Sequence, residues 1–171
     1  MKTKALFVAI LAVAFTLNAA DPIQPDHHKT PGVVFLHVTV EKICTPGYAN
    51  GSDVANSWHG VRYVPRSVKW VVFRSYFGMV PDKTGNYEID HLISLELGGS
   101  NDPKNLWPES YLTDAYNAHV KDKLENRMHT LVKQCLKQKG HAAATTMLKQ
   151  FQLEIATNWV AAYHKYVSLT P

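Results

Sequence analysis

Apolar and polar positions divide the chain into an N-terminal apolar run, a turn-rich stretch, one alternating segment and two long segments of helical period. Between residues 33 and 44, "VVFLHVTVEKIC" alternates in part through Leu36, Val38 and Val40, which predicts a strand ending at Cys44. "TPGYANGSDVANSWHG" follows as turn-rich loop. After Pro65, "RSVKWVVFRSYFG" puts Val68, Val71, Val72 and Tyr76 at i, i+3, i+4 and i+8, a helix with Gly78 as its stop. Gly85-Asn86 then turns the chain into the alternating segment. Tyr87, Ile89, His91, Ile93, Leu95 and Leu97 share one face, and Glu88, Asp90, Leu92, Ser94 and Glu96 the other. Gly98-Gly99 breaks this strand, and "NLW" predicts a short returning strand stopped at Pro108.

The longest helix is expected from an N-cap at Thr113, with Asp114 in its first turn, to Gly140. Val120, Leu124, Met128, Leu131, Val132 and Cys135 form its apolar stripe. Residues 142–167 predict one or two further helices burying Met147, Leu148, Phe151, Ile155, Trp159 and Tyr163. The pattern is α+β, predominantly helical around one short β-hairpin.

The opening "MKTKALFVAILAVAFTLNAA" changes the picture of where the protein works. Lys2 and Lys4, the apolar run Ala5 to Leu17 and the small-residue end at Ala20 compose a secretory signal peptide, so residues 21–171 are expected as one secreted or periplasmic domain. An uncleaved anchor is the alternative; no later stretch is long and apolar enough to span a bilayer. Residues 21–32, with three prolines and the pair His27-His28, read as a loose leader whose histidines are solvated. Without residues 1–20, the 18 Lys and Arg fall to 16 against 14 Asp and Glu, a net +2. A charge that small excludes a protein that holds polyanions by bulk electrostatics, so a nucleic-acid role has to rest on a site. Cys44 and Cys135 lack zinc spacing, and an even count in an exported chain predicts a disulfide between them.

The chemistry concentrates in "EIDHLISLELGGSNDPKNLWPE", residues 88–109. Strand alternation sends the adjacent Asp90 and His91 to opposite sides, so a hard carboxylate oxygen grips a cation while an imidazole approaches water. A strand, a returning strand and a helix can hold one divalent ion between them. With Leu124 at the centre of the helix's packed face, Asn117 lies about 20° away, Lys121 about 60°, Glu125 about 100° and Asn126 about 200°. That makes Asn117 the first choice for a helix ligand. Lys121 and Glu125 continue its stripe and either pair with each other or reach the phosphate and the metal-bound water. Asn126 and His129 replace Asn117 if the helix packs by another face.

"YEIDHLISLELGGSNDPKNLWPE" followed by "NAHVKDKLENRMHTLV", with "ICTPGY", "SVKWVVFRSYFG" and "IATNW" around them, resembles HNH-type endonucleases of the ββα-metal (His-Me finger) superfamily, in particular a small exported or phage-borne bacterial group. The resemblance covers most of residues 21–171, with residues 87–136 as the ββα core; Ser94 stands where proline is common in that group. It implies His91 as general base, Asp90 as metal ligand, and Asn105 bridging the hairpin loop and holding the His91 ring. One divalent ion, foremost Mg²⁺ with Mn²⁺ or Zn²⁺ as substitutes, is the implied cofactor. The implied substrate is DNA, with RNA as a second, cut at low sequence specificity by a secreted monomer. Arg62, Arg66, Lys69, Arg74 and Lys104 are candidate phosphate contacts. The rival is a non-catalytic nucleic-acid-binding or structural exported domain on the same scaffold.

Overall fold

The computed structural model describes residues 23–50, 61–78 and 85–167; the expected signal peptide lies outside the described residues. Helices and one hairpin make up the fold: α1 (Val40–Cys44), α2 (Arg66–Phe77), β1 (Tyr87–His91), β2 (Leu106–Ser110), α3 (Ala118–Lys139) and α4 (His141–Tyr166). The α+β expectation therefore holds, with one two-stranded antiparallel sheet among the described residues. No helix among them is long and apolar enough to cross a membrane.

The core forms where α3 and α4 pack on each other with α1 across them. Leu124, Met128, Val132 and Cys135 of α3 meet Leu148, Phe151, Ile155 and Trp159 of α4, all buried. This is the expected apolar stripe, with Val120, Leu131, Met147 and Tyr163 only partly buried at its margins. Asn158 leaves helical geometry (φ −163°, ψ 94°) and breaks α4, and its side chain accepts from Ala161 N to cap the second segment.

Elsewhere the structure corrects the sequence pattern. Residues 33–44 form no strand. Val34 makes a single bridge to Gly99, Leu36 is exposed, and Thr39 caps the short α1 by accepting from Lys42 N. α2 matches its expected bounds, with Gly78 in the left-handed region at φ 70°, but buries Val72 and Phe73 and leaves Val71 exposed. α3 starts later than expected because Asn117, not Thr113, is its cap. Asn117 Oδ1 accepts from Val120 N and its Nδ2 donates to Thr113 O. The leader is not loose from residue 23 onward. Thr30 is fully buried and donates to Leu106 O, and Trp159 Nε1 donates to Ile23 O. His27 and His28 are exposed, as expected.

The Cys44–Cys135 disulfide is not formed: both residues are free cysteines, although Cys44 packs at the edge of the core that contains Cys135. Burial raises the Cys44 thiol above its ordinary pKa, which disfavours the reactive thiolate.

Strand β1 ends at His91, six residues before the expected break. Beyond it the Asn105 side chain replaces the ladder. Its Oδ1 accepts from Ile93 N (3.0 Å) and Val33 N (3.3 Å), and its Nδ2 donates to Ile93 O and Ser100 O (both 2.9 Å). Gly99 completes the closure, because a Cβ there would sit 1.7 Å from Ile93 O. Strand β2, conversely, runs through Pro108. The bonds Leu92 N to Asn105 O and Tyr111 N to Asn86 O, with Ile89 opposite Pro108, place the proline at a non-hydrogen-bonded pair where its missing N–H costs nothing.

Candidate active site

Because β1 pairs with β2 and α3 packs against them, Asp90 and Glu109 of the hairpin and the first two turns of α3 come together. Asp90 on β1 faces Lys121 on α3, whose Nζ donates to Asp90 Oδ2 at 2.5 Å and to His91 O at 2.7 Å. Lys121 also pairs with Glu125 one turn on, and its Nζ lies 3.8 Å from Glu109 Oε2 of β2. The lysine is only 1 % exposed, so one fully desolvated ammonium serves three carboxylates.

That surplus of negative charge sets the protonation pattern. Burial alone would push the Lys121 ammonium down, but Asp90, Glu125 and Glu109 hold it well above the usual lysine range. Burial works to raise Asp90 too, and Lys121 outweighs it and keeps Asp90 ionised below its ordinary value. With the ammonium so committed, burial prevails at the other two. Glu125 is pushed up to about 8 and Glu109 well above the carboxylate range, Asp90 adding to both. The protonated Glu109 carboxyl shares a hydrogen bond with ionised Asp90, which helps to hold the two pKa values apart.

His91 is buried beside this cluster, and its Nε2 lies 2.8 Å from Asn101 Oδ1. Asn101 Nδ2 donates to Val61 O at 3.0 Å, which turns its oxygen toward the ring and fixes the proton on Nε2. Nδ1 is then the unprotonated nitrogen. Burial lowers the His91 pKa against the opposing pull of Asn101 and Asp90, so the imidazole is neutral at pH 7.

A cavity of about 150 Å³ opens between these groups, walled by Arg62, Asp90, His91, Ser94, Glu96, Asp122, Glu125 and Asn126. The helix thus presents positions 122, 125 and 126 to the hairpin. Asn126, placed by the helical wheel on the far side, lines the cavity. Asn117, the expected helix ligand, caps α3, with both ends of its amide bonded to Thr113 O and Val120 N. His129 is engaged elsewhere, with Nε2 on Ile43 O and Nδ1 3.6 Å from Glu96. Asn105 does bridge the hairpin loop as expected, but Asn101 orients the His91 ring. Asp122 and Glu109 lie within the stretches that carry the resemblance but have no role assigned from the sequence, and neither does Asn101. Asn101 sits in a turn-forming "SND" that gives no chemical signal, and Glu109 follows a proline that was expected to end the strand.

Among the described residues no three His, Cys, Asp or Glu side chains converge as a ready-made metal cluster. The donor set nevertheless fits a divalent ion held by one or two carboxylates and completed by water. It offers hard oxygens, an excess of negative charge, and a buried, unpartnered Ser94 hydroxyl in the cavity wall. No family model matches the chain, and no curated protein or solved structure matches it either.

Proposed function

We propose that the protein is an exported, metal-dependent endonuclease that hydrolyses phosphodiesters in DNA, and secondarily RNA, at a ββα-metal site made by β1, β2 and α3. The carrying observation is a neutral His91 with a free Nδ1, held by Asn101 against a carboxylate-rich cavity that also receives Arg62. His91 Nδ1 accepts the proton of the attacking water, the role its lowered pKa suits. Arg62 holds the scissile phosphate by charge and hydrogen bonding. Asp90 and Glu125, with Asp122 and Asn126 beside them, would hold the cation, which supplies charge neutralisation at the phosphate and leaving oxygen. Lys121 binds no substrate: it is sealed behind Asp90 and positions that carboxylate.

The same Lys121–Asp90 pair favours a second reading, a non-catalytic domain in which the ammonium permanently takes the cation's place. Cleavage of plasmid DNA, single-stranded DNA and RNA with Mg²⁺, Mn²⁺, Zn²⁺ or EDTA, beside His91→Ala, separates the two. Metal-dependent cutting lost in the mutant carries the nuclease. A folded wild type that cuts nothing with any metal leaves the domain non-catalytic.

A further inference from the structure

A second and larger cavity, about 880 Å³, runs from the His91 site along β1 to α2. Arg62, Asp90 and His91 line both cavities, so the groove and the candidate site are continuous. On its far wall Arg66, Lys69, Trp70 and Phe73 stand at i, i+3, i+4 and i+7 of α2, one face of the helix. Trp70 is 46 % exposed and Tyr63, which also lines the groove, 41 %. The Arg66 guanidinium lies 5.0 Å from the Trp70 ring centre, a cation–π contact that steadies the indole. Arg74 and Lys104 are exposed but do not line the groove.

An exposed indole on a wall of cations, leading to a phosphodiester-cleaving site, has a particular chemical match. We propose that this groove binds an unpaired nucleic-acid strand, with a base stacked on Trp70 and phosphates on Arg62, Arg66 and Lys69. The inference rests on the nuclease reading and narrows its substrate to single strands. Phosphate contacts alone would accept a duplex as readily, since its phosphates are outermost. A base face is available to a side chain only where the base is unstacked, and the indole is set in a concavity that the stacked pairs of a duplex do not present to. Glu88 and Asp90, both on the β1 wall, are the opposing charges, against Arg62, Arg66 and Lys69.

Binding is measured by fluorescence anisotropy in EDTA, with labelled DNA and RNA strands and the matching duplexes, on the His91→Ala protein. Single strands should bind at least about 10-fold tighter than duplex. Adding Trp70→Ala should cost about 10-fold on single strands, and Trp70→Phe much less, with the melting temperature unchanged because the indole is half exposed. Arg66→Ala should lower the slope of log affinity against log salt by about 0.7, the signature of one lost phosphate contact. Equal affinity for strand and duplex, or a Trp70→Ala protein that binds strands like its parent, overturns the inference. Metal-dependent cutting with that second result would leave the nuclease standing without the groove. Trp70-dependent strand binding in a protein that never cuts would leave the groove standing without the nuclease.

Discussion

At the scale of single residues, the candidate site is governed by one buried cation. Lys121 is surrounded by Asp90, Glu125, Glu109 and the His91 carbonyl, and no solvent reaches it. Lys121→Met removes the only ammonium in that cluster and leaves its carboxylates without a counter-charge. Urea unfolding should show a loss of about 3–5 kcal/mol. A loss below about 1 kcal/mol would mean the carboxylates reach water and the cluster is not sealed. His91 behaves oppositely, since its burial favours the neutral form. His91→Ala should lower kcat by about 10²–10⁴-fold, at a stability cost of about 1–3 kcal/mol for the unpaired Asn101 amide. In wild type the rising limb of activity against pH reports deprotonation of this base. Its midpoint should fall below the ordinary imidazole value of 6.5, because burial lowers the pKa. A midpoint above 6.5 would assign the limb to another group.

At the scale of elements, the loop that closes the hairpin is held by one side chain. Asn105 makes four hydrogen bonds to backbone groups of Ile93, Val33 and Ser100, all within a fully buried amide. Asn105→Ala leaves those groups unpaired, and at about 1–3 kcal/mol for each buried orphan the melting temperature should drop steeply. Asn105→Asp keeps the acceptor bonds but loses both donor bonds, so it should rescue little. An Asn105→Ala melting temperature within a degree or two of wild type would show that water replaces the amide. This side chain also explains what was legible and what was not. The long helices were readable because 3.6-residue periodicity survives wherever one face is buried, as Leu124, Met128 and Cys135 show. The strand over 87–97 was misread beyond His91 because Leu92, Ile93, Leu95 and Leu97 are all buried, whichever face alternation assigns them. What ends β1 is a hydrogen-bond competitor twelve residues away, and local pattern carries no trace of that. The face that α3 offers the hairpin was misjudged for a related reason. The wheel was centred on apolar Leu124, while the buried polar Lys121 sets the rotation toward Asp90.

At the scale of the whole molecule, stability and the implied cation are coupled through the acidic cluster. Glu125 has a folded-state pKa of about 8 against an ordinary value of 4.5, so between these pH values the folded state holds a proton that the unfolded chain has released. Stability from this group is present at low pH and lost as pH rises through about 8. Glu109, Asp122 and Glu88, also raised, act with the same sign. His91 has the opposite sign: its lowered pKa makes the folded state release a proton that the unfolded chain keeps below 6.5, so it costs stability only on that acid side. Between pH 6.5 and 8 the carboxyl groups therefore act unopposed. In EDTA the melting temperature should fall across that window, and Glu125→Gln should flatten the fall. A divalent ion binding Asp90 and Glu125 must displace the Glu125 proton, so Mn²⁺ or Mg²⁺ should raise the melting temperature more at pH 8 than at pH 6.5. A flat or rising EDTA profile would place the excess charge in contact with solvent. Equal metal increments at both pH values would mean that the ion binds away from Glu125. In a cavity already holding more carboxylates than cations, a lysine that fully replaced the metal would leave no such pH-dependent increment to measure.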